Sequence, residues 1–381
     1  MSQLLLQRPT ISTIDLDNLA FNFNSVREFV GDDLQYLAVV KAGAYGHGAV
    51  ECSRILESLG IDWLGVALPE EGVELRNAGI AKPILVLGSF WPGQEELVIR
   101  HRLTPVVFTH EQASLLDRAA ATSKMVADYH VKIDTGMGRI GVRFDRAAEL
   151  AVDLTQYKNI RLDGLMTHFA AADDLEQNEF TELQVNRFDE AVSAFQNLGF
   201  RPTYIDLANS PGAIAHPTSR RDMVRLGGVL YGLGGDVLPQ NIEKPELRPV
   251  LSLTTRISQI KTVPSGETLG YGRTFKTNRD SVIATIPVGY ADGYRRRLSN
   301  VGRVIVHNQF VPIVGRISMD WTIIDVTELP DVEIGDEVIL IGRSGSLEIK
   351  AEDIAAATDT ISYEITCGIG SRVPRRFIGQ V

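Results

Sequence analysis

Lys41 closes the apolar run YLAVVK and is followed at once by the small residues of AGAYGHG. An amine fixed at the end of a buried strand is a nucleophile for a carbonyl, provided that its surroundings keep part of it unprotonated. Other polar residues stand at the ends of later apolar runs. These are Asp134 and Arg139 in KIDTGMGRIG, His168 in MTHFA, Asn209 and Ser210 in DLANSPG, and Arg225 with Gly227 and Gly228 in VRLGGVLYG. The hydroxyl of Ser210, the bare backbone at Gly227 and Gly228, and the phenol of Tyr45 are parts from which a phosphate cradle is built. A phosphate cradle beside an amine points to pyridoxal phosphate held as a Schiff base. A strand-end lysine acting directly on a carbonyl substrate, as in aldolases, is the other reading.

Taken singly, most of these residues have plainer explanations. Lys41 would snorkel to water, His168 would make a structural hydrogen bond, Asn209 and Ser210 would cap a helix, and Arg139 would sit solvated in its loop. Arg225 resists this treatment. A guanidinium inside an apolar strand keeps its proton and must find acceptors.

What must position these groups is legible as a repeat. Eight short apolar runs lie between Tyr36 and Tyr231: YLAVVK, WLGVAL, ILVLGS, PVVF, ADYHVKID, LDGLMTHF, TYIDLA and MVRLGGVLY. Amphipathic stretches such as AVECSRILESLG and EFTELQVNRFDEAVSAFQNLG separate them. This alternation calls for parallel strands with crossover helices. Eight such units suit an α/β fold of the (β/α)8 TIM-barrel type better than an open sheet, and barrels act at the carboxyl ends of their strands. The seventh crossover, PGAIAHPTSR, leaves its helix in doubt. After YGLGGDVLPQNIEKPELRP the runs become strand-like and are joined by Gly, Pro and Asn turns, with no long helix before about Ala351. The expected division is a barrel over 1–240 and a β-rich domain over 241–381.

Composition narrows the partners. The chain has 381 residues, 44% hydrophobic and 23% charged, enough for a full-sized core. The net charge of −10 disfavours nucleic acid and anionic membranes. Cys52 and Cys367 provide neither a disulfide framework nor metal-ligand spacing, so no metal is expected and a reducing, cytoplasmic location is. MSQLLLQRPT reads as neither a signal peptide nor a membrane span.

The strings VVKAGAYGHG, KIDTGMGRIGVR, THFA, ANS, VRLGGVLYG, LGYGRTF, GYADGY, VGRISMD and YEITCGIGSRVPRRF run in order along nearly the whole chain. Together they resemble the alanine racemase family, pyridoxal-phosphate enzymes with an N-terminal barrel and a C-terminal β-domain. The resemblance implies interconversion of L- and D-alanine, supplying D-alanine for cell-wall peptidoglycan. Lys41 would carry the cofactor and serve as base on one face of the substrate's α-carbon. Tyr271 would be the base on the other face, donated with Met319 by the partner of a head-to-tail homodimer. Tyr45, Ser210, Gly227, Gly228 and Tyr363 would surround the phosphate, with Asn209 in support. Arg225 would bond the pyridine nitrogen, supported by His168, the two read as one cationic system. Arg139 and Met319 would meet the substrate carboxylate, with Tyr290 and Asp320 close by. Lys132 matches a lysine that is often carbamylated and braces Arg139.

The chain departs from the commonest family pattern at Gly43, where asparagine is usual, at Met166, where tyrosine is usual, and at Leu226 and Gly228. The rival readings are a racemase of another small amino acid such as serine, a barrel-type decarboxylase, and a cofactor carrier without turnover. The Glu-Pro-Gly-Arg phosphate segment of the decarboxylases is missing from the sequence.

Overall fold

The eight apolar runs fold as eight parallel strands that close on themselves. In the computed structural model, which describes residues 8–379, the chain opens with β1 (Ile11–Asp15). The barrel then follows as β2 (Gln35–Val39), β3 (Trp63–Val66), β4 (Ile84–Val86), β5 (Thr104–Val107), β6 (Ala127–Asp134), β8 (Ile160–Met166), β9 (Tyr204–Asp206) and β10 (Met223–Leu226), with the two-residue β7 (Val142–Arg143) beside β6. Each barrel strand pairs in parallel with the next, and β10 pairs with β2 to shut the ring. The reading of MSQLLLQ as neither leader nor membrane span lies outside the described residues. No helix among the described residues is long and apolar enough to cross a membrane.

Alternation along the strands sorts their side chains. Leu37, Val39, Trp63, Leu85, Val106, Met166 and Met223 form one apolar cluster, which fills the lumen. Their neighbours Tyr36, Ala38, Leu64, Ile84 and Val224 belong to the larger core packed under the helices. Met166, at the position where tyrosine is usual, is thus a lumen-packing residue, while Leu226 is fully buried in the larger core. Lys132, Met166, Asp206 and Met223 are successive register partners across β6, β8, β9 and β10. Two charged residues therefore share a level with two methionines inside the barrel. The seventh crossover, whose sequence left a helix in doubt, forms a six-residue helix, Ser210–Ala215, capped by Asn209 Oδ1 accepting from Gly212 N at 3.0 Å.

From Leu251 onward the chain is mostly β. Leu251–Arg256 pairs antiparallel with Glu337–Ser344 and also with β1, which pairs in parallel with Arg375–Ile378. The first strand of the chain is thus built into the second domain's sheet, although a boundary at 240 assigns it to the barrel. Its burial alternates, and the inward Ile14 lies opposite Leu251, so β1 completes a sheet whose other strands come from the far end of the chain. A separate sheet joins Gln259–Val263, Ser281–Ile286 and Thr322–Asp325. The short hairpin Thr268–Leu269 and Phe275–Lys276 carries Tyr271 in its turn.

Candidate active site

Directly after β2 the backbone turns the wrong way. Ala42, Gly43, Ala44, Tyr45 and Gly46 all have positive φ, from 52° to 86°. Each non-glycine residue there costs roughly 1–2 kcal/mol, so the turn needs outside support. Three groups provide it. Glu71 accepts from Ala42 N at 2.6 Å and also from Ala67 N and Leu68 N, tying the turn after β2 to the one after β3. The Nδ1 of buried His47 lies 2.9 Å from Ala44 O and 3.0 Å from Tyr45 O, so this nitrogen carries the hydrogen. Burial pushes the His47 pKa down to about 4, leaving a neutral ring at ordinary pH. Arg375 Nε donates to Gly46 O at 3.1 Å. Gly43, with φ +63°, replaces the asparagine usual in the family, and those two residues tolerate the left-handed region best.

The turn leaves Lys41 half-buried at the barrel mouth. Its pKa lies below the usual ammonium range, chiefly because of burial and next because of the Arg139 guanidinium, with Glu71 opposing. Gly46 seats the turn against the helix Ser362–Cys367, since a Cβ there would come within 2.2 Å of Thr366 O. Gly46→Ala therefore meets both a left-handed φ and a backbone clash. It should lower the thermal midpoint by several degrees, for a cost of about 2–4 kcal/mol, and weaken any ligand held by Tyr45. Calorimetry on the variant checks this; an unchanged midpoint would show the turn to be less tightly seated than its geometry requires.

Five predicted residues meet where strand ends β9 and β10 open. Gly227 N donates to Ser210 Oγ at 2.9 Å. A Cβ at Gly227 would lie 2.9 Å from Tyr45 Oη and 3.9 Å from Ser210 Oγ, and one at Gly228 would lie 2.6 Å from Tyr363 Oη. Hydroxyls of three side chains thus converge on bare backbone, and the rings of Tyr45 and Tyr363 stand 5.3 Å apart. Burial raises both phenol pKa values, so both remain O–H donors. This donor set fits a phosphate, and with the unprotonated fraction of Lys41 it fits the two ends of pyridoxal phosphate.

Below the mouth lies Arg225, 3% exposed. The acceptors that a buried guanidinium requires are the Asp206 carboxylate, Thr167 O at 2.9 Å and Leu207 O at 3.2 Å, and NH2 also lies 3.3 Å from His168 Nδ1. The His168 pKa falls well below its usual value through burial first, then through Lys132 and Arg225. His168 is therefore a neutral acceptor, and the reading of Arg225 and His168 as a joint cation is corrected. The second charge is the negative one of Asp206. The Lys132 pKa is held well below its usual range by burial and then by Arg225, with Asp206 opposing. Arg139 is exposed in the loop after β6, where Asp134 Oδ1 accepts from Gly136 N and Gly138 N.

Of the residues expected from the second domain, Tyr363 joins this cluster, whereas Tyr271, Tyr290, Met319 and Asp320 share no hydrogen bond, ion pair or ring contact with it among the described residues. Tyr271 is 71% exposed, and Tyr290 and Met319 are also exposed. Tyr290 N donates to Ser318 O and Ala291 N to Met319 O, so these two join one patch, while Asp320 accepts from Arg372 at 2.7 Å. No hydrogen bond, ion pair or ring contact joins Tyr271 to Lys41 among the described residues of one chain. Glu71 and Asp206 are the site residues that the sequence did not single out. Glu71 looks like a first-turn helix acid, and Asp206 like part of the turn signal in TYIDLANSP.

Comparisons with known proteins follow the same division. Residues 14–234 match the family model described as alanine racemase, N-terminal domain, and residues 250–377 that of alanine racemase, C-terminal domain. A Halothermothrix orenii protein named alanine racemase is 46% identical over 376 residues, covering 99% of this chain and 98% of its own length. Among solved structures, an alanine racemase from Clostridium difficile 630 is 37% identical with a TM-score of 0.91, over 97% of this chain and 96% of that one. The Bartonella henselae alanine racemase, solved with covalently bound pyridoxal phosphate, is 29% identical with a TM-score of 0.86, over 97% and 99% of the two chains.

Proposed function

The chain belongs to the alanine racemase family, and on that premise we propose that it interconverts L- and D-alanine with pyridoxal phosphate, using Lys41 and Tyr271 as bases on opposite faces of the substrate. The reading rests above all on one conjunction: a desolvated amine at Lys41 beside the Tyr45, Ser210 and Tyr363 hydroxyls gathered on Gly227 and Gly228. When bound, the cofactor supplies an electron sink that makes the α-proton removable.

The protein's own groups do the rest. Lys41 would hold the cofactor and serve as the base on one face of the substrate's α-carbon, and Tyr271 would serve as the base on the other. The hydroxyls of Tyr45, Ser210 and Tyr363 beside the bare backbone of Gly227 and Gly228 would hold the phosphate, and Arg225 Nε–H, which none of the acceptors named above takes, would meet the ring nitrogen. Arg139 and Met319 face the substrate carboxylate, with Tyr290 and Asp320 beside them and Lys132 bracing Arg139.

A head-to-tail homodimer belongs to the same proposal. Tyr271, Tyr290, Met319 and Trp321 are large apolar side chains left exposed on loops of the β-domain, and groups of such residues mark interfaces. The partner's barrel is the natural cover, since the phenol needed at Lys41 makes no contact with it in the same chain. The working units are the barrel within 1–240, apart from β1, and the β-rich domain within 241–381. Both cysteines are free, which fits a reducing cytoplasm, where D-alanine would feed cell-wall synthesis.

The test is to follow optical rotation and carbon dioxide release with alanine, serine and a basic amino acid, with and without added pyridoxal phosphate. Racemisation of alanine that depends on the cofactor is expected. Carbon dioxide release without racemisation would replace this reading with that of a decarboxylase.

A further inference from the structure

We propose that Asp206 is the positioning residue for Arg225: its carboxylate aims the guanidinium so that Nε–H faces the cofactor's ring nitrogen. The inference rests on the proposed pairing of Arg225 with that nitrogen and concerns what holds it there.

The backbone sets the two residues together. Asp206 ends β9 in register with Met223 of β10, and Arg225 follows two residues later, on the same lumen-facing side. Arg225 N donates to Ala208 O at 2.9 Å, fixing the strands at this level. Asp206 is fully buried and ion-paired with Arg225 through NH1, while NH2 is held by two main-chain carbonyls. Both terminal nitrogens are thereby committed on the strand side of the guanidinium. A planar guanidinium held at both ends has little freedom left, so the direction of Nε–H follows from where Asp206 sits.

Stability does not account for this carboxylate. A buried ion pair gives little or no net stability over apolar side chains of similar volume; Leu37, Met166 and Met223 line the lumen close by, and the buried Lys132 at the same level also attracts the carboxylate but makes no hydrogen bond to it among the described residues. Asp206 Oδ2 has no hydrogen-bond partner among the described residues, so the carboxylate is not there to knit a wider network. The one side-chain hydrogen bond it makes is to the guanidinium that the proposed function places at the ring nitrogen. It also balances that charge within the barrel.

The test compares binding of pyridoxal phosphate with binding of its 1-deaza analogue, in which carbon replaces the ring nitrogen, by fluorescence titration of the apo full-length protein. The wild type should prefer the natural cofactor by about 10- to 100-fold, the worth of one hydrogen bond from a charged donor. Asp206→Asn should reduce that preference about 10-fold or more, as loss of an orienting partner does at other sites. Equal weakening of both ligands, or an unchanged preference, would make Asp206 a packing residue and overturn the inference. Should Asp206→Asn not fold, Asp206→Glu, which keeps the charge but shifts it by one methylene, is expected to give an intermediate preference; a wild-type preference in that variant would overturn the inference. A wild type with no preference refutes the pairing of Arg225 with the ring nitrogen, and the inference with it, whereas the reading as a racemase stands or falls on the optical assay alone.

Discussion

Tyr271→Phe should slow racemisation of alanine in both directions by about 10²- to 10⁴-fold, the range lost when a positioned acid–base group is removed, while pyridoxal phosphate still binds covalently. The substitution deletes one oxygen and leaves the ring. Tyr271 sits in a turn whose shape is set by backbone, with Gly270, Gly272 and Arg273 all at positive φ, so the aromatic ring should stay where it is. The side chain is exposed in the single chain, and fold stability should not register the change. A two-base scheme makes a sharper demand than loss of rate. With Lys41 intact, one enantiomer should still exchange its α-hydrogen with deuterated solvent, and the other should not. Mass spectrometry of each enantiomer after incubation reads this directly. Undiminished racemisation, or exchange lost equally from both enantiomers, would remove Tyr271 from the role of second base.

How far the sequence disclosed this site depends on the distance over which each signal acts. The barrel strands were legible because a short apolar run is a local signal, and each run of YLAVVK type carries its own evidence. The place of β1 was not, because its partners begin at Leu251 and Arg375, and no local pattern announces a pairing across most of the chain. Lys41, Ser210 and Arg225 stood out as polar residues at or inside apolar strand ends. Asp206 stands at a strand end too, but in TYIDLANSP an aspartate beside Asn, Ser and Pro looks like turn chemistry. It takes the fold to bring it under Arg225. The acceptor requirement at Arg225 was readable from its chemistry alone; the identity of the acceptor was not. The left-handed turn after Lys41 was half-announced by Gly43 and Gly46. Nothing in the alphabet says that Ala42, Ala44 and Tyr45 follow them, because the supports are Glu71 and Arg375, each far along the chain. His47 supports that turn through hydrogen bonds of its Nδ1 to Ala44 O and Tyr45 O.

Lys41→Ala should abolish covalent attachment of the cofactor and lower racemisation by at least about 10⁴-fold, the top of the range for losing one acid–base group, with loss of attachment added to it. The amine is only half-buried, and the strained turn beside it is supported through Ala42 N and the carbonyls of Ala44 and Tyr45, so its removal should leave the fold intact. Borohydride treatment followed by peptide mapping should label Lys41 in the wild type and nothing in the variant; a label elsewhere would move the attachment site. The same variant tests the dimer. If Tyr271 serves the partner's Lys41, a mixed dimer of Lys41→Ala and Tyr271→Phe protomers contains one site with both bases and one with neither. Random reassociation of the two inactive variants should then restore about a quarter of wild-type activity, as a two-fold assembly with shared sites requires. If each chain supplied its own Tyr271, every site in every mixture would lack one base, and no activity would return. Recovery on mixing cannot come from either homodimer, so it separates a shared site from a self-contained one without any need to see the interface.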